Sequence, residues 1–342
     1  MACIAGLLAM RLELLIPTLK RPDLVRAAVL GIARAARPRA LDVSVTVINN
    51  DTVRLPLEAG AAGPYPLRVL DEPRPGKSAA LNAGIAASTA DYIGLLDDDA
   101  EIAHDWFLVV ERVLSAGDVD FIGGRAVLRP VANQPSWVPP GYPAVLGAAD
   151  GGPESFMYGP SFPGILMGVN AVISRAVLLT VGPYNTALGP RADRRLGSCE
   201  DEDMYWRLIH AGARGLYVPE LIVHHHVHLD RLRKRYYRSW CFWNGASKGV
   251  MGRSQMPPAR HIGGVPLYVY GEAFRGLRIW LRSFLPRGSA AQRTAGELPA
   301  WHLAGRLYGR HVLRDDASGT RRAAPGDAAP PPRYSDDAPA LD

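Results

Sequence analysis

Apolar residues recur along this chain with two periods, and the alternation of those periods sets out a fold. Residues 12–17 and 43–49 are short apolar runs rich in branched side chains, the pattern of buried strands. Between them, residues 24–36 carry apolar side chains at helical spacing. Further on, 66–70 reads as a third strand, 79–87 as a helix, 92–96 as a fourth strand, 105–115 as a helix and 121–128 as a strand. Strands alternating with helices predict an α/β domain with a mainly parallel sheet and helices on both faces. From 130 to 163 proline and glycine are dense and the periodicity stops, which predicts a long ordered loop over the carboxyl edge of the sheet. Regular structure resumes at 168–175. A helix is expected over 198–212: Ser198 can cap it, Asp201 holds the capping-box position and Gly212 can close it. A strand leads into the histidines at 224–228, and 231–314 reads as mostly helical. Residues 317–342 are rich in Ala, Pro, Asp and Arg without an apolar pattern, so disorder is expected there.

Composition narrows the class. The 342 residues suffice for one large domain or two modest ones, and 48% hydrophobic with 21% charged residues is ordinary for a folded soluble protein. Cys3, Cys199 and Cys241 are scattered and lack metal-ligand spacing, which predicts a reducing, cytoplasmic compartment. No apolar run approaches the roughly 20 residues of a membrane span. Residues 1–10 are mildly apolar without a basic flank, so no signal peptide is expected. The net charge of +6 admits anionic partners, and much of it is local, in Arg231, Arg233, Lys234, Arg235 and Arg238.

Three aspartates, Asp97, Asp98 and Asp99, follow the fourth strand. Ligands of open α/β sheets bind at the carboxyl ends of strands. Stacked carboxylates destabilise a fold unless something offsets them, and a divalent cation holding a diphosphate would do so. The plainer reading is an acidic turn that caps the next helix. A second acidic group, Glu200-Asp201-Glu202-Asp203, opens the helix expected at 198–212. Capping and the helix dipole account for part of it; the same position would hold a carboxylate rigidly beside the sheet edge, where a general base could act. Asp203 reads as solvated or salt-bridged. In the run His224-His225-His226, strand alternation puts His225 on the face opposite its two neighbours. One of these histidines can serve as a metal ligand.

In this order, these pieces resemble the family 2 glycosyltransferases of the GT-A fold over residues 11–228. Pro17-Thr18 with Arg21 is similar to the family's first strand and nucleotide-binding turn. Residues 47–51 resemble its second-strand motif, with Asn49 where Asp is usual and with Asp51 following. Asn keeps an acceptor and adds donors. Residues 75–82 are similar to the glycine turn and helix; Leu81 stands in place of a common Arg, which leaves Lys77 as the implied cation beside the diphosphate. Residues 96–99 resemble the DxD element, which implies Asp99 on the metal, Asp98 toward the ribose and Asp97 supporting either. Gly168 and Asn170, with Arg175, resemble the loop beneath the donor sugar. Glu200-Asp201 resembles the acidic pair whose Asp is the base of inverting members. His225 matches a histidine that can ligate the metal.

The resemblance implies a GT-A, Rossmann-like catalytic domain at 10–228, a helical basic-aromatic extension at 229–316 and a disordered tail at 317–342. It implies an inverting transfer from a UDP-, GDP- or dTDP-linked sugar to a hydroxyl acceptor, dependent on Mn2+ or Mg2+. The acceptor would be a polysaccharide, a glycolipid (so lipid-linked) or a metabolite, as in cell-envelope biosynthesis. Two other readings stand beside it: a non-catalytic nucleotide-sugar-binding protein of the same fold, and a zinc hydrolase using the histidines, which lacks the helical His-Glu-x-x-His spacing. The basic-aromatic stretches at 229–243 and 265–285 read either as helices packed on the domain or as an interfacial contact with an anionic membrane, which would make the enzyme peripheral on the inner face of the cell membrane. No nucleic-acid motif accompanies them, and no nucleic-acid partner is expected.

Overall fold

Nine strands join into one sheet in the computed structural model, which describes residues 10–58, 60–130, 134–160, 166–190, 197–251, 259–315 and 321–322. They are β1 Met10–Thr18, β2 Leu41–Asn49, β3 Leu67–Asp71, β4 Tyr92–Leu95, β5 Ala100–Ile102, β6 Phe121–Leu128, β7 Phe156–Met157, β8 Ala171–Ser174 and β9 Gly215–His225. The order is β3-β2-β1-β4-β8-β6-β9-β5, with β7 also on β9. The sheet is mostly parallel: β1, β2, β3, β4, β6 and β9 run one way, while β8, β5 and β7 run against them. The reversed strands are short, and two of them, β5 and β7, lie in stretches where no strand was expected.

Period-two alternation divides the core into two layers. Leu12, Leu14 and Ile16 of β1 pack with helix α1 (Pro22–Arg34) and helix α3 (Trp106–Ser115). Leu15 of the same strand points the other way, toward helix α2 (Lys77–Ala87), helix α4 (Arg175–Val181) and helix α5 (Glu200–His210). Full burial of side chains such as Leu12 and Leu15 contributes roughly 1.5–3 kcal/mol each. Three further helices, α6 (Lys234–Val250), α7 (Leu267–Arg282) and α8 (Ala290–His311), form the C-terminal part. α8 is packed between the other two. A Cβ on Gly245 would fall 2.1 Å from the His302 carbonyl, and one on Gly305 would fall 1.9 Å from that of Phe242, so backbones touch along the α6–α8 seam.

The loop expected over the sheet edge contains a 3-10 turn, Pro143–Leu146, and β7. The disorder expected at 317–342 lies outside the described residues, apart from Arg321–Arg322, which pair antiparallel with Arg314–Asp315. One helix start departs from expectation. The cap of α5 is Cys199, in a left-handed conformation at φ 73°, and not Ser198. The Ser198 hydroxyl instead accepts from the Asn244 amide of α6 at 3.1 Å, because α6 lies against this turn.

Candidate active site

The sheet direction gathers the charged residues at one edge. Thr18, Asn49 and Asp71 close β1, β2 and β3 in a single row of the register. The β1–β4 pairing ends at Leu15 opposite Leu95, and its continuation brings Asp98 to Thr18, whose hydroxyl donates to Asp98 Oδ2 at 2.7 Å. The chain then reverses into β5, where Ala100 pairs with His225 at the end of β9. That pairing sets Asp99 beside the imidazole. Because β8 runs against the sheet, its beginning lies at the same edge, and Gly168-Val-Asn170 precede it.

The aspartate triplet divides into separate tasks. Asp98 is buried, with Oδ1 taking a bond from Arg21 Nη1 at 3.1 Å. Burial, opposed by Arg21, pushes its carboxyl up to about 6. Both oxygens accept bonds inside the protein, which ties the turn to Thr18 and Arg21. Asp99 meets His225 Nε2 at 3.1 Å, Arg231 Nη2 at 2.9 Å and Arg21 Nη1 at 3.4 Å. Burial alone would raise its carboxyl, but His225, Arg231 and Arg21 outweigh burial and hold it well below the usual carboxylate range. Asp97 is partly exposed and receives Lys77 Nζ at 2.7 Å.

Asp97, Asp99 and His225 each offer one ligand atom, all within 4.8 Å of one another. Two carboxylates and an imidazole, with no thiolate, suit Mn2+ or Mg2+ better than a structural zinc cage. An imidazole nitrogen 3.1 Å from a carboxylate oxygen needs a proton or a cation between them. The local charge agrees. With all groups ionised, five carboxylates (Asp97, Asp98, Asp99, Glu200, Asp201) face three cations (Arg21, Lys77, Arg231), an excess equal to one divalent ion.

The second cluster is built differently. Lys77 opens α2 just after Gly76, which adopts φ 118° and donates its N–H to Asn50 Oδ1 at 2.9 Å. Its ammonium lies 3.6 Å from Glu200 Oε1. Burial opposes the Lys77 charge, yet Asp97, Asp201 and Glu200 outweigh it and hold the ammonium well above its ordinary value. The Asp201 Oδ2 accepts the Gly168 N–H at 2.8 Å, while Oδ1 is buried without a hydrogen-bond partner among the described residues. Burial and the neighbouring acids raise both carboxyls of this pair above the usual range, against the pull of Lys77. Gly168 is required by proximity: a Cβ there would sit 2.4 Å from Asp201 Oδ1.

Other residues singled out in the sequence fall around this centre. Pro17 is buried at the end of β1. Asn49 donates to the Val53 carbonyl at 3.0 Å and to Asp71 Oδ1 at 2.8 Å, and Asp51 Oδ1 accepts the Thr52 N–H. Asn170 is buried just before β8. Its oxygen accepts the Trp106 indole at 2.9 Å and its amide donates to the Arg125 and Leu221 carbonyls, so every polar atom is spent on the scaffold. Asp203 is salt-bridged to Arg207 at 2.8 Å. His226 bonds Glu101 at 2.6 Å, apart from the Asp99 partner of His225. Two residues escaped the sequence reading. Asn50 pins the 72–76 turn through the carbonyls of Glu72 and Arg74. Arg231 stands in the basic segment 231–238 by sequence, and only the fold carries it back onto Asp99.

Residues 13–179 match the family described as Glycosyl transferase family 2. Together with the sheet and the acidic edge, this match supports a family 2 glycosyltransferase of GT-A fold. Two curated relatives are similar. One is a glucosyl-dolichyl phosphate glucuronosyltransferase of Haloferax volcanii, 26% identical over 223 residues, covering 64% of this chain and 69% of the relative. The other is a pre-mycofactocin glycosyltransferase of Mycobacterium tuberculosis, 29% identical over 257 residues and 72% of this chain; the match spans 47% of that longer protein. Among solved structures, a mannosyltransferase from Pyrobaculum calidifontis in complex with GDP-Man and Mn2+ aligns over 87% of this chain and 86% of its own, with a TM-score of 0.52 at 18% identity. That likeness concerns the fold.

Proposed function

We propose that this protein is a metal-dependent, inverting glycosyltransferase that moves a sugar from a nucleotide-linked donor to a hydroxyl acceptor. The observation that carries the proposal is the meeting of two unlike carboxylate sites at one sheet edge: Asp97 and Asp99 with His225, and Asp201 held by Gly168. Asp97, Asp99 and His225 would hold Mn2+ or Mg2+, which neutralises a diphosphate and makes it a better leaving group. Lys77 adds a fixed positive charge at the same place. Asp201 Oδ2 is oriented by the Gly168 N–H, leaving Oδ1 to accept the proton of the attacking hydroxyl. Attack opposite the leaving diphosphate inverts the anomeric carbon. A UDP-, GDP- or dTDP-sugar satisfies this chemistry, and so does an acceptor that is a polysaccharide, a glycolipid or a metabolite; the Haloferax relative is named for a lipid-linked substrate.

The test is thermal stability against a panel of UDP-, GDP- and dTDP-sugars with and without Mn2+, because ligands of the folded state raise Tm by mass action. A Mn2+-dependent shift with one nucleotide, followed by donor turnover that Asp201→Asn abolishes, is the expected result. Tm shifts with no turnover by the intact protein would favour the non-catalytic reading. Tightly held zinc and activity without nucleotide would favour the hydrolase.

A further inference from the structure

We propose that the outer face of α7 and the turn after it dock the protein on an anionic phospholipid bilayer. The inner seam of α7 is Val269 and Gly276, and Ser283 just past its end continues it, seven residues apart and all buried. There the backbones nearly touch, since a Cβ on Gly276 would fall 2.6 Å from the Gly296 carbonyl. The apolar side chains of α7 mostly lie elsewhere. Leu267, Tyr270, Phe274, Leu277 and Leu281 follow one another at intervals of three and four residues, which makes them one stripe beside the seam. Phe274 is 62% exposed and Leu281 55%, and Phe284 and Leu285 extend the stripe into the turn at 57% and 62%.

A second stripe, Arg275, Arg278 and Arg282, borders the first, and all three arginines are exposed. Glu272 is the one acid of the helix. At its end, a cleft of about 360 Å³ is lined by Ile279, Arg282, Leu285 and Arg287, pairing two guanidiniums with apolar walls.

The order of these stripes selects the occupant. Packing accounts for the seam, yet leaves Leu267, Phe274, Leu277, Leu281, Phe284 and Leu285 exposed. Nucleic acid would engage the arginines and leave the apolar stripe exposed. A second copy of the same face would set arginine against arginine. A bilayer of anionic lipid takes both at once: the apolar stripe enters the acyl boundary and the guanidiniums meet headgroup phosphates. No described helix is long and apolar enough to cross the membrane, so the contact is interfacial. The inference does not depend on the transferase reading, because binding is measured without donor or acceptor.

The experiment is flotation of the full chain with vesicles of phosphatidylcholine alone and with phosphatidylglycerol added. The expected result is binding at least tenfold tighter to the anionic vesicles, since each arginine near such a surface is worth roughly fivefold, and release by high salt. Phe274→Ser with Leu277→Ser removes the apolar contribution, and Arg278→Gln with Arg282→Gln removes the charge; each pair lowers binding at least tenfold while Tm is retained. Equal partition of intact protein and both variants, or a solution dimer that Leu277→Ser dissociates, would overturn the proposal.

Discussion

The two acidic clusters lie along one edge of the same sheet, yet their surroundings push them in opposite directions. Asp99 is enclosed by Arg21, Arg231 and His225 and is held ionised. Asp201 is half-buried with acids for neighbours and, among the described residues, Lys77 to balance them, and its carboxyl is raised. A carboxylate that anchors a cation must stay charged, whereas one that accepts a proton gains from a pKa nearer the working pH. Residue type does not separate the two tasks; the surrounding charges do.

The largest test of this division is Asp201→Asn, which keeps the shape and removes the base. Turnover falls roughly 10²–10⁴-fold while the donor-induced Tm shift persists. Equal loss of donor binding would merge the two roles. Asp99→Asn attacks the other side: Mn2+-dependent donor binding drops by more than the roughly 10–100-fold that partners of metal ligands command, as measured by calorimetry. Gly168→Ala forces a Cβ onto Asp201 Oδ1, and a misplacement of about 1 Å lowers kcat roughly 100-fold with little change in donor affinity.

The pH profile sharpens the contrast further. Asp201 acts only when ionised, so kcat declines on acidification from a pH above the ordinary carboxylate range of about 4. The stability sign runs the other way. A carboxyl raised in the folded state contributes fully below its unfolded pKa and loses that contribution as pH rises through the folded one, so Asp201→Asn raises Tm at neutral pH. The smallest effect expected is that of Arg231→Ala. It frees Asp99 Oδ2 of a cation 2.9 Å away, which tightens Mn2+ binding to the donor-free protein by a few-fold, roughly 1 kcal/mol for a partly screened pair. Unchanged Mn2+ affinity would separate Arg231 from the metal site.

Much of this molecule was legible from local pattern. The long parallel strands announce themselves by period, and a strand followed by acids places those acids at the ligand edge without further information. The isolation of His225 from its neighbours followed from strand alternation alone. Other features were not legible because they arise from pairing between distant segments. β5 is three residues long and exists because it lies on β9. Asn170 belongs to a motif that touches donors in the family resemblance, but Trp106 and two carbonyls take all its polar atoms. Ser198 had the right chemistry for a cap, and α6 claimed it instead.

What the chain determines by itself is therefore the set of strands, the direction of their ends and the kinds of side chain carried there. These depend on neighbours in sequence and on the preference of apolar residues for burial. What the tertiary structure decides is which charge faces which. Asp97, Asp98 and Asp99 are identical in chemistry and adjacent in sequence. Lys77, Thr18 with Arg21, and His225 with Arg231 reach them from three separate segments, and electrostatic energy depends on those distances in space.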